Sequence, residues 1–430
     1  MKVNIQNFDV VISGGGLSGS LMALSLSKLR KQDGSLLSIA VIEAAEKKSA
    51  SQLEKALSAS ELASGLFDQR VLALSHGSSE YLKKLGVWSQ LSAHACPIKD
   101  IDISDRGNYG KARIKAKLHQ VSALGYVIEM ALIGNTLQSA LKLHPNINTL
   151  FAEHIVSIDW SQEEDKQNTQ EEQQDTNQFI SLTLSSGIKL NTSLLLGCDG
   201  VNSPSRKLAN ISVTKQDYSQ VAIIANVATS IPHKNKAFER FTEQGPIAML
   251  PLNSLKDEHR CSLVWTVNKT NAKTICNLND TDFKIALEQA FGYWLGGIKH
   301  VGERVDFPLT LLQAQQQTFH RMALIGNASH TIHPIAGQGF NLGLRDVKEL
   351  AGLVEGALAT NEDIGSFSLL HRYEKHRSED QNEVIKLTDS LVTLFSNELP
   401  PLVAGRNIGL KVLNYLSPLK HKLVSKTMGY

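Results

Sequence analysis

Cysteine is scarce in this sequence, with four residues in a chain of 430. They match neither a CxxC pair nor a zinc-site spacing, which argues against a zinc ribbon and against a disulfide-dependent fold. We expect reduced thiols, as in a cytoplasmic protein. The four residues are Cys96, Cys198, Cys261 and Cys276.

Long apolar runs are also missing. No stretch approaches the roughly 18 to 20 uninterrupted apolar residues that a membrane-spanning helix needs. The N-terminus, MKVNIQNFDVVISGGG, lacks the apolar segment and the cleavage site of a signal peptide. The sequence therefore predicts a cytoplasmic protein, and attachment to a membrane surface stays open as an alternative.

Charge of one sign is not in excess, since 44 Lys and Arg stand against 42 Asp and Glu. A formal net charge of +2 gives no basis for a nucleic-acid partner. The length and the 42% hydrophobic content suit a globular chain of two domains, with an added helical segment.

The first 43 residues have the pattern of a strand, a helix and a second strand. Residues 8–13 form an apolar run typical of a buried parallel strand. A glycine cluster then leads into a helix predicted over residues 17–31, and residues 36–43 form the next strand. This order predicts an α/β fold with a right-handed crossover.

The turn into this helix reads Gly14-x-Gly16-x-x-Gly19, with Leu17 and Ser18 in the first helical turn. In such a motif the first glycine permits a tight turn, the second lets a pyrophosphate approach, and the third lets the helix pack on the sheet. The helix N-terminus then offers N–H groups and positive potential to the phosphates.

Glu43 ends the second strand, where an acidic side chain binds the adenosine ribose. Together with the glycine motif, this position predicts dinucleotide binding, and the alternative is a purely structural glycine turn. The motif alone does not separate FAD from NAD.

The remaining chain shows three broad patterns. Residues 161–178 are polar and acidic, and they indicate either an interaction tail or a solvated loop between the two strands of a hairpin. Residues 221–307 are rich in strands with little helix between them, which predicts an antiparallel sheet. From residue 346 to the end the periodicity is helical, with breaks at Pro400 and Pro418.

Two later segments identify the nucleotide. Residues 194–206 read LLLGCDGVNSPSR, and residues 321–343 read RMALIGNASHTIHPIAGQGFNLG. With the glycine motif, they resemble the flavoprotein hydroxylases of the para-hydroxybenzoate hydroxylase type, and most closely those of ubiquinone biosynthesis. The likeness is end to end and includes FDQRVLAL (67–74), AFERFTEQGPIAMLP (237–251) and GRNIGL (405–410). Asn327 and the residues after it are most similar to the 2-polyprenyl-6-methoxyphenol hydroxylase branch.

The resemblance implies a Rossmann-type FAD-binding domain, a substrate domain with a mixed or antiparallel sheet, and C-terminal helices. The FAD-binding domain would comprise residues 1–95, 128–207 and 308–355. The substrate domain would comprise residues 96–127 and 208–307, and residues 356–430 would form the helical segment.

The resemblance also implies contacts to FAD from both later segments. Asp199, Gly200 and Arg206 would link FAD binding to its reduction by the nicotinamide, unless Asp199 is only a turn residue. Gly326 and Asn327 would lie at the ribityl chain or the pyrophosphate.

Residues 334–339 would form the loop beside the isoalloxazine ring, and the helix after it would begin near Phe340 and Asn341 with its positive end toward the flavin N1–C2=O edge. The loop residues predicted to act in catalysis are Pro334, Gly337, Gln338 and Gly339.

Arg70 would contact the FAD phosphates or the nicotinamide nucleotide, or else form a surface salt bridge. The sequence departs from the family after residue 129, where relatives have Asn-Arg and later a Gln that meets FAD. Met130, Ala131 and Gly134 stand at those positions, and Asn135 is the expected substitute.

His330 and His333 form an HxxH pair without a third ligand nearby, so no metal site is predicted. Each either lines the substrate pocket or is a hydrogen-bonded structural histidine. The phenol pocket is expected in the antiparallel sheet, where the alternative for each candidate is a place in the core. These candidates are Phe238, Phe241, Met249, Leu250 and Trp265.

The implied activity is hydroxylation of a prenylated phenol with O2 and NAD(P)H, through a flavin C4a-hydroperoxide. Another aromatic substrate, an oxidase activity or a non-catalytic flavin-fold subunit are the alternatives. Apolar residues 391–395 and 410–416, followed by Lys420, Lys422 and Lys426, indicate either contact with a membrane or another quinone-biosynthesis protein, or an ordinary terminal helix. No oligomeric state is predicted.

Overall fold

The computed structural model describes residues 5–47, 70–160, 179–255, 257–395 and 428. Their strands, in chain order, are β1 Ile5–Ser13, β2 Ile39–Glu43, β3 Val71–Ser75, β4 Cys96–Ile98, β5 Asp100–Asp105, β6 Lys111–Lys115, β7 Gly125–Glu129, β8 Ile147–Phe151, β9 Ile155–Asp159, β10 Ile180–Leu184, β11 Lys189–Gly197, β12 Val213–Thr229, β13 Lys236–Thr242, β14 Gly245–Pro251, β15 His259–Asn268, β16 Ile298–Val301, β17 Val305–Ala314, β18 Thr318–Phe319, β19 Met322–Leu324 and β20 His330–Thr331.

The helices among these residues are α1 Leu17–Leu26, α2 His76–Leu85, α3 Trp88–Leu91, α4 Met130–Leu141, α5 Pro204–Leu208, α6 Lys269–Cys276, α7 Asp280–Phe291, α8 Gln338–Thr360 and α9 Phe367–Phe395. Short 3-10 turns occupy Ala116–His119, Gly326–Ala328 and Ile335–Gly337.

The first sheet has a parallel centre. β18, β19, β11, β1, β2 and β8 lie side by side, and all neighbouring pairs from β19 to β8 are parallel. β10 joins at β11 and pairs antiparallel with β9, which confirms the predicted hairpin. Apolar side chains from α1, α4 and α8 cover one face, and those of β9 and β10 contribute to a separate core on the other. Burial on both faces explains the apolar runs of the central strands, and the predicted Rossmann-type order is confirmed.

Two boundaries of the first βαβ unit differ from the predicted ones. α1 ends at Leu26 instead of residue 31, and β2 begins at Ile39 instead of residue 36. Between these points the Asn146 side-chain amide donates to the carbonyls of Ser27 at 3.0 Å and Leu37 at 2.8 Å. Because these two carbonyls are satisfied by a distant side chain, the intervening backbone need not continue the helix or the strand.

The second sheet contains β20, β17, β12, β15, β14, β13, β5 and β6 in that order, with β16 also beside β12. The pairs within residues 213–314 are antiparallel, as predicted, whereas β13 and β5 are parallel. α6 and α7 cover one face, in a stretch where the sequence pattern predicts little helix. Phe283, Leu287 and Phe291 recur every four residues in α7 and pack into this core. This spacing is typical of a helix, but the strand patterns on either side of it obscured the signal in the sequence.

Two borders of the predicted domains fall inside strands, at residues 127–128 in β7 and at residues 307–308 in β17. β17 pairs with β12 along most of its length, so residues 308–314 are hydrogen-bonded into the second sheet and not into the first. This pairing joins segments about 90 residues apart, and local sequence carries no mark of it. β3, β7 and β4 form a small third sheet. The rest of the domain division stays a prediction.

The helical pattern predicted from residue 346 is confirmed as far as Phe395, through α8 and α9. Residues 396–427, which contain the predicted proline breaks, the GRNIGL motif and the three lysines, lie outside the described residues. Over the described ranges, no helix combines the length and the hydropathy needed to cross a bilayer.

Asp346 lies fully buried in α8 and joins α8, α9 and the turn after β19. Its Oδ2 accepts hydrogen bonds from the Gly326 amide at 2.9 Å and His330 Nε2 at 2.8 Å. Its Oδ1 accepts from Arg377 Nε at 2.7 Å and Gln381 Nε2 at 3.1 Å. Burial raises the pKa of Asp346, but His330, Arg377 and the hydrogen bonds outweigh it and hold the pKa below its ordinary value. The side chain is therefore ionised inside the protein.

We predict that Asp346→Asn lowers the free energy of unfolding by about 3 to 5 kcal/mol. The variant removes the fully buried partner of Arg377, which keeps Asp380, and it places an amide donor against groups that donate to Asp346. Urea unfolding of wild type and variant at several pH values measures the loss. Since the folded pKa is depressed, the stabilisation is complete above the ordinary aspartate pKa of about 4 and is lost as the pH falls further.

The control for this prediction is Glu355→Gln, which removes an exposed carboxylate from the same helix. It should change the unfolding free energy by less than about 0.5 kcal/mol. A loss in Asp346→Asn no larger than in this control would contradict the assigned role.

Candidate active site

The parallel strands of the first sheet bring the three sequence motifs to one edge. β1, β2, β11 and β19 all run in the same direction, and they end at Ser13, Glu43, Gly197 and Leu324. The glycine motif, the Asp-Gly turn and the Gly326 turn follow directly, so they meet at the carboxyl edge where ligands bind in open α/β sheets.

The glycine motif forms a tight turn against the next strand. Gly14 has a φ of +101°, and a Cβ there would lie 2.6 Å from the Cys198 carbonyl oxygen. A Cβ at Gly19 would lie 1.9 Å from the Gly14 carbonyl, so the helix packs closer than alanine allows. Around Gly16 the space is open, and no side chain caps the start of α1. The uncapped first-turn N–H groups, at Leu17 and Ser18, fit an anionic diphosphate.

Glu43 is held against the glycine loop by its carboxylate. Oε2 accepts the Gly15 N–H and Oε1 accepts the Ala45 N–H, each at 2.8 Å. Because a carboxylate oxygen has two lone pairs, each oxygen can also accept from a ribose hydroxyl. The position of Glu43 thus fits the predicted ribose contact.

Gln138 in α4 is a site residue that the sequence interpretation missed. Its Nε2 donates to the Gly15 carbonyl at 3.1 Å and contacts Ser20 Oγ at 3.3 Å. One turn earlier, a Cβ at Gly134 would lie 3.8 Å from Leu17 Cδ2, so α4 packs on α1 at ordinary van der Waals distance. Because residues four apart share one face of a helix, the spacing from Gly134 to Gln138 is the sequence signal that could have indicated Gln138.

Asp199 lies beside Gly14 at the end of β11. Its Oδ2 accepts from Ser13 Oγ at 3.2 Å and from the Ser205 N–H at 2.9 Å. Among the described residues, the buried Oδ1 has no hydrogen-bond partner. A buried acceptor left open at this edge fits a hydroxyl donor from a bound ligand, such as the ribityl chain.

Arg206 is buried, and its guanidinium donates hydrogen bonds to backbone carbonyls. Its guanidinium donates to the Ala328 carbonyl at 2.6 Å and to the Val201 carbonyl at 2.8 Å. Burial lowers the pKa of Arg206, while Asp199 opposes this effect. The side chain therefore ties the Gly200 turn to the Gly326 turn.

The turn that carries Gly326 and Asn327 packs on α1. A Cβ at Gly326 would lie 2.9 Å from Ser18 Oγ and 3.8 Å from Gly343 Cα. Asn327 is exposed at the same turn. The first and third motifs are thus in direct contact, as a shared FAD site requires.

The predicted flavin loop is a 3-10 turn that leads into α8. The Gly337 N–H donates to the Pro334 carbonyl at 3.0 Å, and α8 begins at Gln338, two residues before the predicted start. Gly337 has a φ of +61°, and a Cβ there would lie 2.9 Å from Ala73 Cβ in β3. The first-turn N–H groups of α8, including that of Gly339, therefore start beside β3.

Asn341 and Phe340 face the protein interior. The Asn341 Oδ1 accepts from the Ser75 N–H and Ser78 Oγ, and its Nδ2 donates to the Ala73 and Gly337 carbonyls, all within 2.7–2.8 Å. These four bonds use the full capacity of the amide. A cofactor contact at Asn341 would come from its backbone, while its side chain fixes the loop. Phe340 packs on the core around α1.

Arg70 is exposed just before β3, and its carbonyl accepts the Met130 N–H at 2.9 Å. β3 runs beside the flavin loop through Ala73, so Arg70 flanks the site. Residues 67–69 of the same motif lie outside the described residues.

Both histidines of the HxxH pair are bound within the chain. His330 Nε2 pairs with Asp346, and His333 Nδ1 accepts the Ile335 N–H at 3.3 Å. Nε2 of His333 then carries the proton and donates to Gln220 Oε1 at 3.3 Å. Burial lowers the pKa of His333 to about 4, so the ring is neutral near pH 7. No group of three metal-binding side chains occurs in the part of the chain that the structure describes.

The second sheet turns one face toward the flavin loop. Gln220 on β12 binds His333, and Phe241 on β13 packs on Ile335. Two residues before Phe241 on β13, a row of five half-buried side chains crosses this face from strand to strand. We call this row the pocket floor. It consists of Ile103, Glu239, Ala248, Val264 and Ile224.

The pocket candidates from the sequence divide between the two faces of this sheet. Phe238, Met249 and Trp265 pack under α7 in the core on the far face, so they do not line the pocket floor. Phe241 and Leu250 lie on the near face, in clusters with Ile335 and with Val127 respectively. Strand alternation decides this division, because adjacent residues point to opposite faces.

The chain matches the FAD binding domain family over residues 7–388. Ubiquinone hydroxylase UbiL of Rhodospirillum rubrum is 32% identical, over 98% of this chain and 89% of the relative. The 3-demethoxyubiquinol 3-hydroxylase of Escherichia coli is 30% identical, over 99% of both chains. The human ubiquinone biosynthesis monooxygenase COQ6 is 29% identical, over 97% of this chain and 92% of the relative.

Solved structures show the same fold. A p-nitrophenol 4-monooxygenase from Pseudomonas putida superposes with a TM-score of 0.71 at 16% identity, with 99% of both chains covered. PqsL from Pseudomonas aeruginosa, a probable FAD-dependent monooxygenase, superposes with a TM-score of 0.70 at 18% identity, with 95% of this chain and all of that chain covered.

We predict that Gly16→Val abolishes FAD binding, because the side chain would fill the open space where the diphosphate approaches the backbone. The flavin absorbance of the purified protein measures occupancy. The fold should survive, since a Cβ at this position meets no other atom within 4 Å.

Gly352→Val is the matched control, as Gly352 is exposed in α8 and equally open. It should keep its flavin. A Gly16→Val protein that binds FAD as tightly as this control would refute the assignment of the diphosphate site.

Proposed function

The chain belongs to the FAD binding domain family, among its ubiquinone-biosynthesis hydroxylases, and we propose that its substrate is a prenylated phenol. It is an FAD-dependent monooxygenase of an aromatic ring, and NAD(P)H is its electron donor. The specific proposal is ring hydroxylation of a 2-polyprenyl-6-methoxyphenol-like compound on the ubiquinone pathway. The observation that carries it is the apolar pocket floor opposite the flavin loop.

Our assignment of the FAD site follows the convergence of the three motifs. The N–H groups after Gly16 would hold the diphosphate, Glu43 would hold the ribose, and Asp199 with Asn327 would hold the ribityl side. Gln138 supports the glycine loop from α4. When bound, FAD supplies the activated oxygen and takes its electrons from NAD(P)H.

The polypeptide has three tasks in this reaction. Residues 334–339 and the start of α8 would offer N–H groups and the positive end of a helix to the edge of a bound flavin, which becomes negative on reduction. The pocket floor orients the phenol ring. Phe241, Ile335 and the α9 residues Leu391, Val392 and Leu394 form an apolar cluster beside the pocket that excludes water. Leu391, Val392 and Leu394 are half-buried in this cluster, whereas Thr393 is exposed.

A prenyl tail matches the composition of the pocket floor. Four of its five side chains are apolar, namely Ile103, Ala248, Val264 and Ile224. Burial of apolar surface contributes roughly 25 cal/mol per Å2, so an isoprenoid chain along these residues adds affinity that a small soluble phenol lacks.

We expect purified holoenzyme to consume NAD(P)H and O2 in proportion to an added prenylated phenol, and mass spectrometry to show one oxygen atom added to the ring. The matched comparison is the same phenol without its prenyl chain, which should show a higher KM.

Three other results would contradict the proposal. Peroxide formation that is independent of the phenol indicates an oxidase. Equal use of both phenols indicates a soluble aromatic substrate. Protein that binds no flavin after gentle purification indicates a non-catalytic subunit.

A further inference from the structure

Glu239 is the one charged side chain in the pocket floor. Strand alternation places it on the face opposite Phe238, which packs under α7. Its partners across the strands are Ile103 on β5 and Ala248 on β14. An ionised carboxylate between apolar neighbours loses hydration, which costs free energy. Residues with this kind of unfavourable environment are common in active sites.

Glu239 also faces the flavin loop. Phe241, two residues further on β13 and on the same face, packs against Ile335 in the loop. Ile103, the cross-strand neighbour of Glu239, belongs to the same cluster. Since such neighbours lie only about 5 to 7 Å apart, a ring held between the floor and the loop comes within reach of the Glu239 carboxylate.

No cation compensates this carboxylate among the described residues, where Glu239 has neither a hydrogen bond nor an ion pair. Lys236 binds Asp102, and Arg240 stacks over Trp294 on the far face.

The other ionisable groups that face this side of the sheet have partners of their own. On β15, Arg260 pairs with Glu129 of β7 at 3.5 Å. On the loop, His333 is neutral near pH 7. On β12, Tyr218 donates to Asp389 of α9. Burial alone raises the pKa of Glu239 to about 7.

We propose that Glu239 is a catalytic base of the hydroxylation, which accepts the proton of the substrate phenol while oxygen is transferred to the ring. This inference rests on the proposed function. The phenol O–H bond breaks, its proton bonds to a Glu239 carboxylate oxygen, and its electron pair stays on the phenol oxygen. The ring becomes more electron-rich, which favours attack on an electrophilic oxygen, and the proton later returns to solvent.

The test is the pH dependence of kcat and KM for the prenylated phenol. In wild type, kcat should rise as the pH increases through about 7, because the base works only when deprotonated. Glu239→Gln keeps the shape of the side chain but should lose this rise, and its kcat above pH 7 should fall roughly 100-fold with little change in KM.

Glu243→Gln is the matched control, since Glu243 is an exposed carboxylate four residues along the same segment. It should follow the wild-type profile. An unchanged pH profile in Glu239→Gln, with kcat within about twofold of the control, would refute the role of Glu239.

A second readout needs no turnover and uses 4-nitrophenol, whose phenol and phenolate forms absorb differently. An ionised carboxylate disfavours a phenolate beside it, so the bound probe should lose its proton about one pH unit higher in wild type than in Glu239→Gln. A structural role for Glu239 predicts equal values, which would overturn the proposal.

The two proposals fail in distinguishable ways. If wild type does not turn over any prenylated phenol, the substrate assignment is wrong, and the nitrophenol titration still reports on Glu239. If wild type hydroxylates the phenol and neither readout changes in Glu239→Gln, only the base assignment is wrong.

Discussion

The contact between Gly14 and the Cys198 carbonyl is the constraint on which the candidate site depends. It brings the end of β1 so close to the end of β11 that a single added carbon would collide with backbone. Asp199, the next residue, then lies beside the glycine turn and binds Ser13. Because both strands are parallel and neighbouring, two segments about 185 residues apart come to share one edge.

The third segment is held at this edge by charge. Asp346 binds the Gly326 amide directly and is itself neutralised by Arg377 from α9. Arg206 also holds this segment, because its guanidinium donates a hydrogen bond to the Ala328 carbonyl. Arg206 and Asn341, which the family resemblance assigns to the cofactor, form side-chain hydrogen bonds within the chain.

Asp346, which is fully buried, and Glu239, which is half-buried among apolar side chains, are carboxylates in two different environments. Asp346 has four hydrogen bonds and a pKa below its ordinary value, so its charge is permanent and structural. Glu239 has no such partners among the described residues, and its pKa is raised to about 7. A group that can gain and lose a proton near neutral pH suits chemistry at the pocket floor better than a role in stability.

The sequence by itself determined the first βαβ unit, since glycine spacing and apolar runs are local consequences of backbone geometry. The resemblance of the three motifs indicated the family, which the comparisons confirm. The sequence also predicted the turn that leads into α8 and the position of Glu43 at the end of β2. Only the tertiary structure decided where α1 ends, because Asn146 satisfies the carbonyls there. The structure likewise placed β17 in the second sheet, Gln138 at the glycine loop and Glu239 in the pocket floor. Each of these depends on strands and helices that meet from distant parts of the chain, and no local pattern records such pairings.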